Sequence, residues 1–108
     1  MTQNRLKMIE QMLETNPNDS FLHYAAALEH QKIGDLNQAI KILRSIIKND
    51  PNYLASYYQL GKILEEKGKV EEAIEVYKSG KEVAKKQSEM KTLGELSEAL
   101  MLLDVYED

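Results

Sequence analysis

Apolar positions recur along the chain at steps of three and four, the spacing that builds one face of a helix. Residues 3–15 carry Leu6, Ile9, Met12 and Leu13 on such a stripe. Asn16-Pro17 ends it, because the residue before a proline is driven out of the helical region, and Asp19 or Ser20 can cap a second helix. That helix, about 20–33, turns Leu22, Ala26, Ala27 and Ile33 toward a core and stops at Gly34, which can take the left-handed conformation. Asp35 caps a third helix over about 36–49, with Gln38 placed to complete a capping box. Leu36, Ala39, Ile40, Leu43, Ile46 and Ile47 give that helix a broad apolar face.

The pattern then restarts. A helix over about 53–67, a turn at Gly68 and a helix over about 70–86 repeat the preceding arrangement. Lys69 stands where Asp35 stood, which weakens this helix start by ~0.5–1 kcal/mol. Glu71 and Glu72 at the positive end of the dipole, and Lys85 and Lys86 at the negative end, partly compensate. After a polar break near Gln87–Glu89, a last helix over 90–104 carries Leu93, Leu96, Leu100 and Leu103. Met101, Leu102, Val105 and Tyr106 extend its apolar surface, so the C-terminal segment spans 90–106.

Pro17 and Pro51 are 34 residues apart, as are Tyr24 and Tyr58, Ala27 and Gly61, Gly34 and Gly68, and Ala39 and Ala73. Small residues at Ala27/Gly61 and Ala39/Ala73 permit two antiparallel helices to approach closely, and Gly61 is expected to pack against Ala73. With this period and helix–turn–helix unit, the chain resembles the tetratricopeptide repeat family, whose signature runs W-x2-L-G-x2-Y…A-x3-F…P. Residues 54–87 follow it with Tyr57, Leu60-Gly61, Leu64, Ala73, Tyr77 and Gly80, and Lys85 where the closing proline would stand. Residues 20–53 follow it with His23, Ala26-Ala27, His30, Ala39, Leu43 and Pro51, and with Ile46 in a slot where the family prefers a small residue.

The resemblance implies an all-α, TPR-like α-solenoid of antiparallel helix pairs with six helices. The expected organisation is one domain over 1–108: an N-terminal half-repeat helix at 3–15, repeats at 20–53 and 54–87, and a C-terminal capping helix at 90–106. Leu93-Gly94 lies 33 residues after Leu60-Gly61, so the last helix looks like the first helix of a repeat without its second.

The same resemblance implies a concave groove lined by the first helices of the repeats, which holds a peptide or protein partner. On that face lie Phe21, Tyr24, Leu28, Gln31 and Lys32 from one repeat and Tyr58, Gln59, Lys62 and Glu65 from the next. Tyr24 and Tyr58 occupy equivalent slots and are expected to stand side by side; aromatic rings with a polar tip are favoured interface anchors. Family members that grip acidic chaperone tails use a clamp of Lys and Asn. Here Tyr24, Leu28 and Gln59 stand in clamp positions, which disfavours that ligand.

Composition narrows the chemistry further. Fourteen basic and 18 acidic side chains are interspersed along 108 residues, with a net charge of −4, so no basic footprint for nucleic acid exists. The chain has no Cys, hence no disulfide, thiolate metal site or Cys nucleophile. His23 and His30 are seven positions apart, ~10 Å along a helix axis at ~1.5 Å per residue, too far to share a zinc ion with ~2 Å bonds. Both fill core slots of the repeat. No phosphate loop or Ser-His-carboxylate spacing is present. These readings point to a non-catalytic interaction module with no cofactor, metal, nucleic-acid or membrane partner. No apolar run approaches a membrane span and the N-terminus lacks a signal-peptide core, so a cytoplasmic location is expected. The alternative is a structural protein that forms a homo-oligomer through surplus Leu102, Val105 and Tyr106 on the C-terminal helix.

Overall fold

Each hairpin of the fold begins where the chain can leave the right-handed helical region. Gly34 and Gly68 adopt φ of +87° and +75°. Behind them the N–H of Asp35 donates to the His30 carbonyl at 2.9 Å, and that of Lys69 to the Leu64 carbonyl at 2.8 Å, satisfying carbonyls the helix ends would leave open. A third stop of the same kind lacks a glycine: Ser88 sits at φ 55°, and the Glu89 N–H donates to the Ala84 carbonyl at 2.9 Å. A side chain costs ~1 kcal/mol or more in this region. Ser88→Gly should therefore raise stability by ~0.5–1 kcal/mol after glycine's own entropic cost, read as a higher urea midpoint at unchanged slope.

The computed structural model describes the backbone of residues 2–107 and the side chains of 4–103. Six helices account for it: α1 (Thr2–Thr15), α2 (Ser20–Lys32), α3 (Leu36–Asn49), α4 (Ala55–Glu66), α5 (Val70–Gln87) and α6 (Met90–Glu107), with no strand among the described residues. Asp19, not Ser20, caps α2, accepting from the Leu22 N–H at 3.1 Å. Ser20 instead donates to Asp50 Oδ2 at 2.6 Å, tying the start of α2 to the end of α3. Asp35 caps α3 by accepting from the Gln38 N–H at 3.2 Å. Its own N–H is already committed to His30, so the box does not need the return bond from the Gln38 side chain. Lys69 makes no side-chain cap bond at α5.

The helices fall into two compact units, Met1–Tyr53 and Leu54–Asp108. In the first, α2 packs on both α1 and α3. Ala27, Ala39 and Leu43 are wholly buried, and Ile9, Leu22, Ala26 and Ile46 nearly so. Two expected core positions are exposed. Met12 lies on α1, which packs chiefly on α2, and Ile33 is the C-cap residue, already turning out of α2.

In the second unit, α5 packs on both α4 and α6. The group that lies over Gly61 is the ring of Tyr77, one turn along α5 from Ala73; a Cβ on Gly61 would clash with three carbons of that ring. Ala73, expected to pack against Gly61, is itself wholly buried. Gly80 is the second close approach: a Cβ there would stand 2.7 Å from Tyr57 Cβ and 3.1 Å from Leu96 Cδ1, so one missing methyl lets α5 meet both neighbours. Leu96, Ala99, Leu100 and Leu103 of α6 face inward, whereas Met101 and Leu102 are exposed. The side chains of Val105 and Tyr106 lie outside the described residues.

Candidate partner-binding surface

In the Leu54–Asp108 unit, α4 and α6 enclose an open groove of ≈ 510 Å³. Its apolar surface comes from Tyr58 on α4 and from Ala99 and Leu102 on α6. Lys62 and Lys91 supply positive charge, Glu95 and Glu98 negative charge. Lys62 Nζ stands 5.8 Å from the centroid of the Tyr58 ring, within range of a cation–π attraction. The Tyr58 ring is 6.2 Å from that of Tyr77 at an interplanar angle of 41°. A core aromatic thus backs a groove aromatic and limits the orientations it can take.

Tyr77 also donates its hydroxyl to Glu65 Oε2. Glu65, expected on the partner-binding face, is therefore engaged by the core phenol. Burial first, then the hydrogen bond and the negative charge of Glu65, holds the Tyr77 phenol far above its ordinary value near 10. Burial likewise raises Tyr24, with Tyr53 adding to it, and raises Tyr53, with Asp19 and Asp50 adding to it. In all three the folded-state value lies above the unfolded one. Their contribution is intact below about pH 10 and is lost as pH rises further, because the unfolded chain then releases protons that the folded chain retains. Stability should fall above pH 10 at roughly 1.4 kcal/mol per pH unit for Tyr77 alone. The tyrosinate absorbance of these three rings in an alkaline titration should therefore rise together with loss of helical circular dichroism, and a full phenolate signal from a folded chain would contradict this.

The Met1–Tyr53 unit presents the other predicted residues on α2. Phe21 is exposed, and Tyr24, Leu28 and Gln31 are half-buried. Tyr24 sets its ring 5.8 Å from that of Tyr53, so the ring contacts of Tyr24 and Tyr58 are each made within their own unit. Lys32 is exposed and pairs with Glu29 Oε2 at 3.3 Å. Gln59 of α4 is half-buried.

Glu29 was not anticipated. Only 4 % exposed, it is held by Lys32 and, from α1, by Arg5 at 3.8 Å, while its Oε1 has no hydrogen-bond partner. Its burial comes from α1 covering α2, and nothing local to LEHQK marks it. The charged α6 residues in the groove, Lys91, Glu95 and Glu98, were missed for a related reason. Their charges at three- and four-residue steps read equally well as a solvated helix face.

The histidines are engaged separately. His23 donates from Nε2 to the Pro17 carbonyl at 2.7 Å, beside a polar hollow of ≈ 350 Å³ bounded by Ser20, Ser45 and Asp50. His30 Nδ1 is buried without a hydrogen bond, 4.0 Å from Asp35 Oδ2. Among the described residues no cluster of three or more His, Asp or Glu is arranged to hold a metal ion, and no helix is long and apolar enough to cross a membrane.

A tetratricopeptide repeat family profile matches residues 32–96. The small glutamine-rich tetratricopeptide repeat-containing protein 2 of Saccharomyces cerevisiae is 36% identical over 62 residues, 57% of this chain and 18% of that protein. The chain spans about a fifth of the length of the curated relatives it matches. The crystal structure of a tetratricopeptide repeat domain protein from Salinibacter ruber is 35% identical, covers 80% of this chain and 96% of its own, and superposes with a TM-score of 0.75. The Yersinia enterocolitica type III secretion chaperone SycD, in complex with a peptide of the translocator YopD, shares the fold at a TM-score of 0.88. That match covers 99% of this chain and 82% of SycD at 18% identity. The all-α, TPR-like solenoid class follows from these similarities together with the six helices.

Proposed function

Because the chain belongs to the tetratricopeptide repeat family, we propose that it is a non-catalytic adaptor that binds a peptide or protein partner along the first helices of its repeats, α2 and α4, in the cytoplasm. The observation that carries this reading is the open groove of the second unit, where Tyr58 and Lys62 of α4 face Glu95, Glu98 and Leu102 of α6. An apolar floor edged by charges of both signs suits an amphipathic segment of mixed charge better than a uniformly acidic tail. That SycD, with the same fold, is seen with a peptide of its translocator supports the reading. Phe21, Tyr24, Leu28, Gln31 and Lys32 on α2, and Tyr58, Gln59, Lys62 and Glu65 on α4, are the proposed contacts. Glu65 acts from its bond with Tyr77.

A partner recovered by affinity capture should bind the Tyr24→Ala/Tyr58→Ala variant at least ~10-fold more weakly, as befits loss of aromatic anchors. A thermal melt of the variant separates lost contact from lost structure, since both rings also pack internally. Unchanged affinity in a folded variant would remove the groove assignment. A second reading, self-association through α6, is favoured by the exposure of Met90 and Met101 on that helix.

A further inference from the structure

The equivalence of Leu93-Gly94 with Leu60-Gly61 extends along the helix: Met90 corresponds to Tyr57, and Ser97 to Leu64. In α4 that stripe is sealed by α5. Tyr57 and Leu64 are 3 % and 1 % exposed, and the Tyr77 ring covers Gly61. In α6 the same stripe is open. Met90 and Met101 are 67 % and 62 % exposed, and nothing lies within 4 Å of where a Gly94 Cβ would be. A glycine inside a helix weakens it relative to alanine. Gly61 and Gly80 have close neighbours that account for them, and Gly94 has none.

Resting on the second reading above, we infer that a second copy of this chain covers this stripe, with the two α6 helices antiparallel about a two-fold axis centred between Glu95 and Leu96. The pattern is self-complementary in that register. Met90 of one copy meets Met101 of the other at both ends, and Gly94 meets Ser97, so the smallest residues fall at the crossing where the backbones come closest. Methionine fills the irregular gaps such a pairing leaves. Charge agrees as well. An antiparallel two-fold keeps each flank on its own side, which brings Lys91 of one copy near Glu98 of the other, two opposite charges exposed along the edge of the stripe. A parallel pair would set Met90 against Met90 and Met101 against Met101, without that ion pair.

Gly94 of the stripe and the flanking Lys91 and Glu98 also line the groove toward Tyr58 and Lys62, so pairing competes with a partner bound there, whereas Leu102 lies on the groove side, off the stripe. Light scattering across ~1–200 μM should give a mass that climbs toward the dimer in the wild-type chain. Met101→Glu and Gly94→Leu should each weaken association at least tenfold, while Leu102→Glu leaves it unchanged. The chain has no cysteine, so cross-linking is clean. The Met90→Cys/Met101→Cys variant should oxidise to a covalent dimer. These positions lie ~16 Å apart along one helix at ~1.5 Å per residue, too far to join within a chain. The corresponding single variants should remain monomeric under the same oxidant. A dimer broken by Leu102→Glu but not by Met101→Glu would keep self-association through α6 and overturn this face. Covalent dimers from the single variants would overturn the antiparallel register, and a wild type monomeric throughout would end both readings.

Discussion

Gly61→Leu should lower the stability of the fold by about 3 kcal/mol or more, at the upper end of what overpacking costs. Even the first added carbon clashes with the Tyr77 ring, which is wholly buried and has little room to retreat. Better helix propensity returns about 1 kcal/mol of that loss. For a chain of this size the melting temperature should drop by on the order of 10–20 °C, and urea unfolding should show a lower midpoint with an unaltered slope. A melting curve like that of the wild type would mean that no ring lies over residue 61.

Tyr77→Ala should cost a comparable ~3–5 kcal/mol, the usual range for emptying a buried aromatic site. Tyr77 joins three features at once: it covers Gly61, donates to Glu65 and backs the Tyr58 ring. Its loss opens a cavity and releases two residues of the proposed groove, so partner affinity should fall even under conditions where the variant is folded. The two substitutions must also couple. Gly61→Leu places new carbon where Tyr77→Ala has removed it, and the double variant should be more stable than the sum of the single losses predicts, by at least ~1 kcal/mol. Strict additivity in urea titrations would show that the two residues do not share a space.

How far the site could be read from sequence differs between its two walls. Tyr58 and Lys62 were identifiable, because the 34-residue period aligns them with Tyr24 and Leu28 on the outward flank of a first helix. The α6 wall was not, since its glutamates and lysine carry no signal beyond solubility. It became part of a groove only once α5 had packed on both α4 and α6. Glu29 teaches the same lesson from the core side. On α2 alone it is an ordinary surface acid, and α1 makes it a buried one with Arg5 as partner.

By itself the sequence determined where the helices start and stop and where they run closest. These are local matters: a left-handed φ at Gly34 and Gly68, aspartates positioned to accept the first free N–H groups, and the absence of a side chain at Gly61 and Gly80. Sterics and hydrogen-bond reach over a few residues decide each of them. Tertiary structure alone decided which atoms fill the space those signals leave, and so set the Tyr77 ring against Gly61 and left the stripe through Gly94 uncovered. Adjacent turns of α5 lie ~5.4 Å apart, a difference the apolar pattern cannot resolve and close packing cannot ignore.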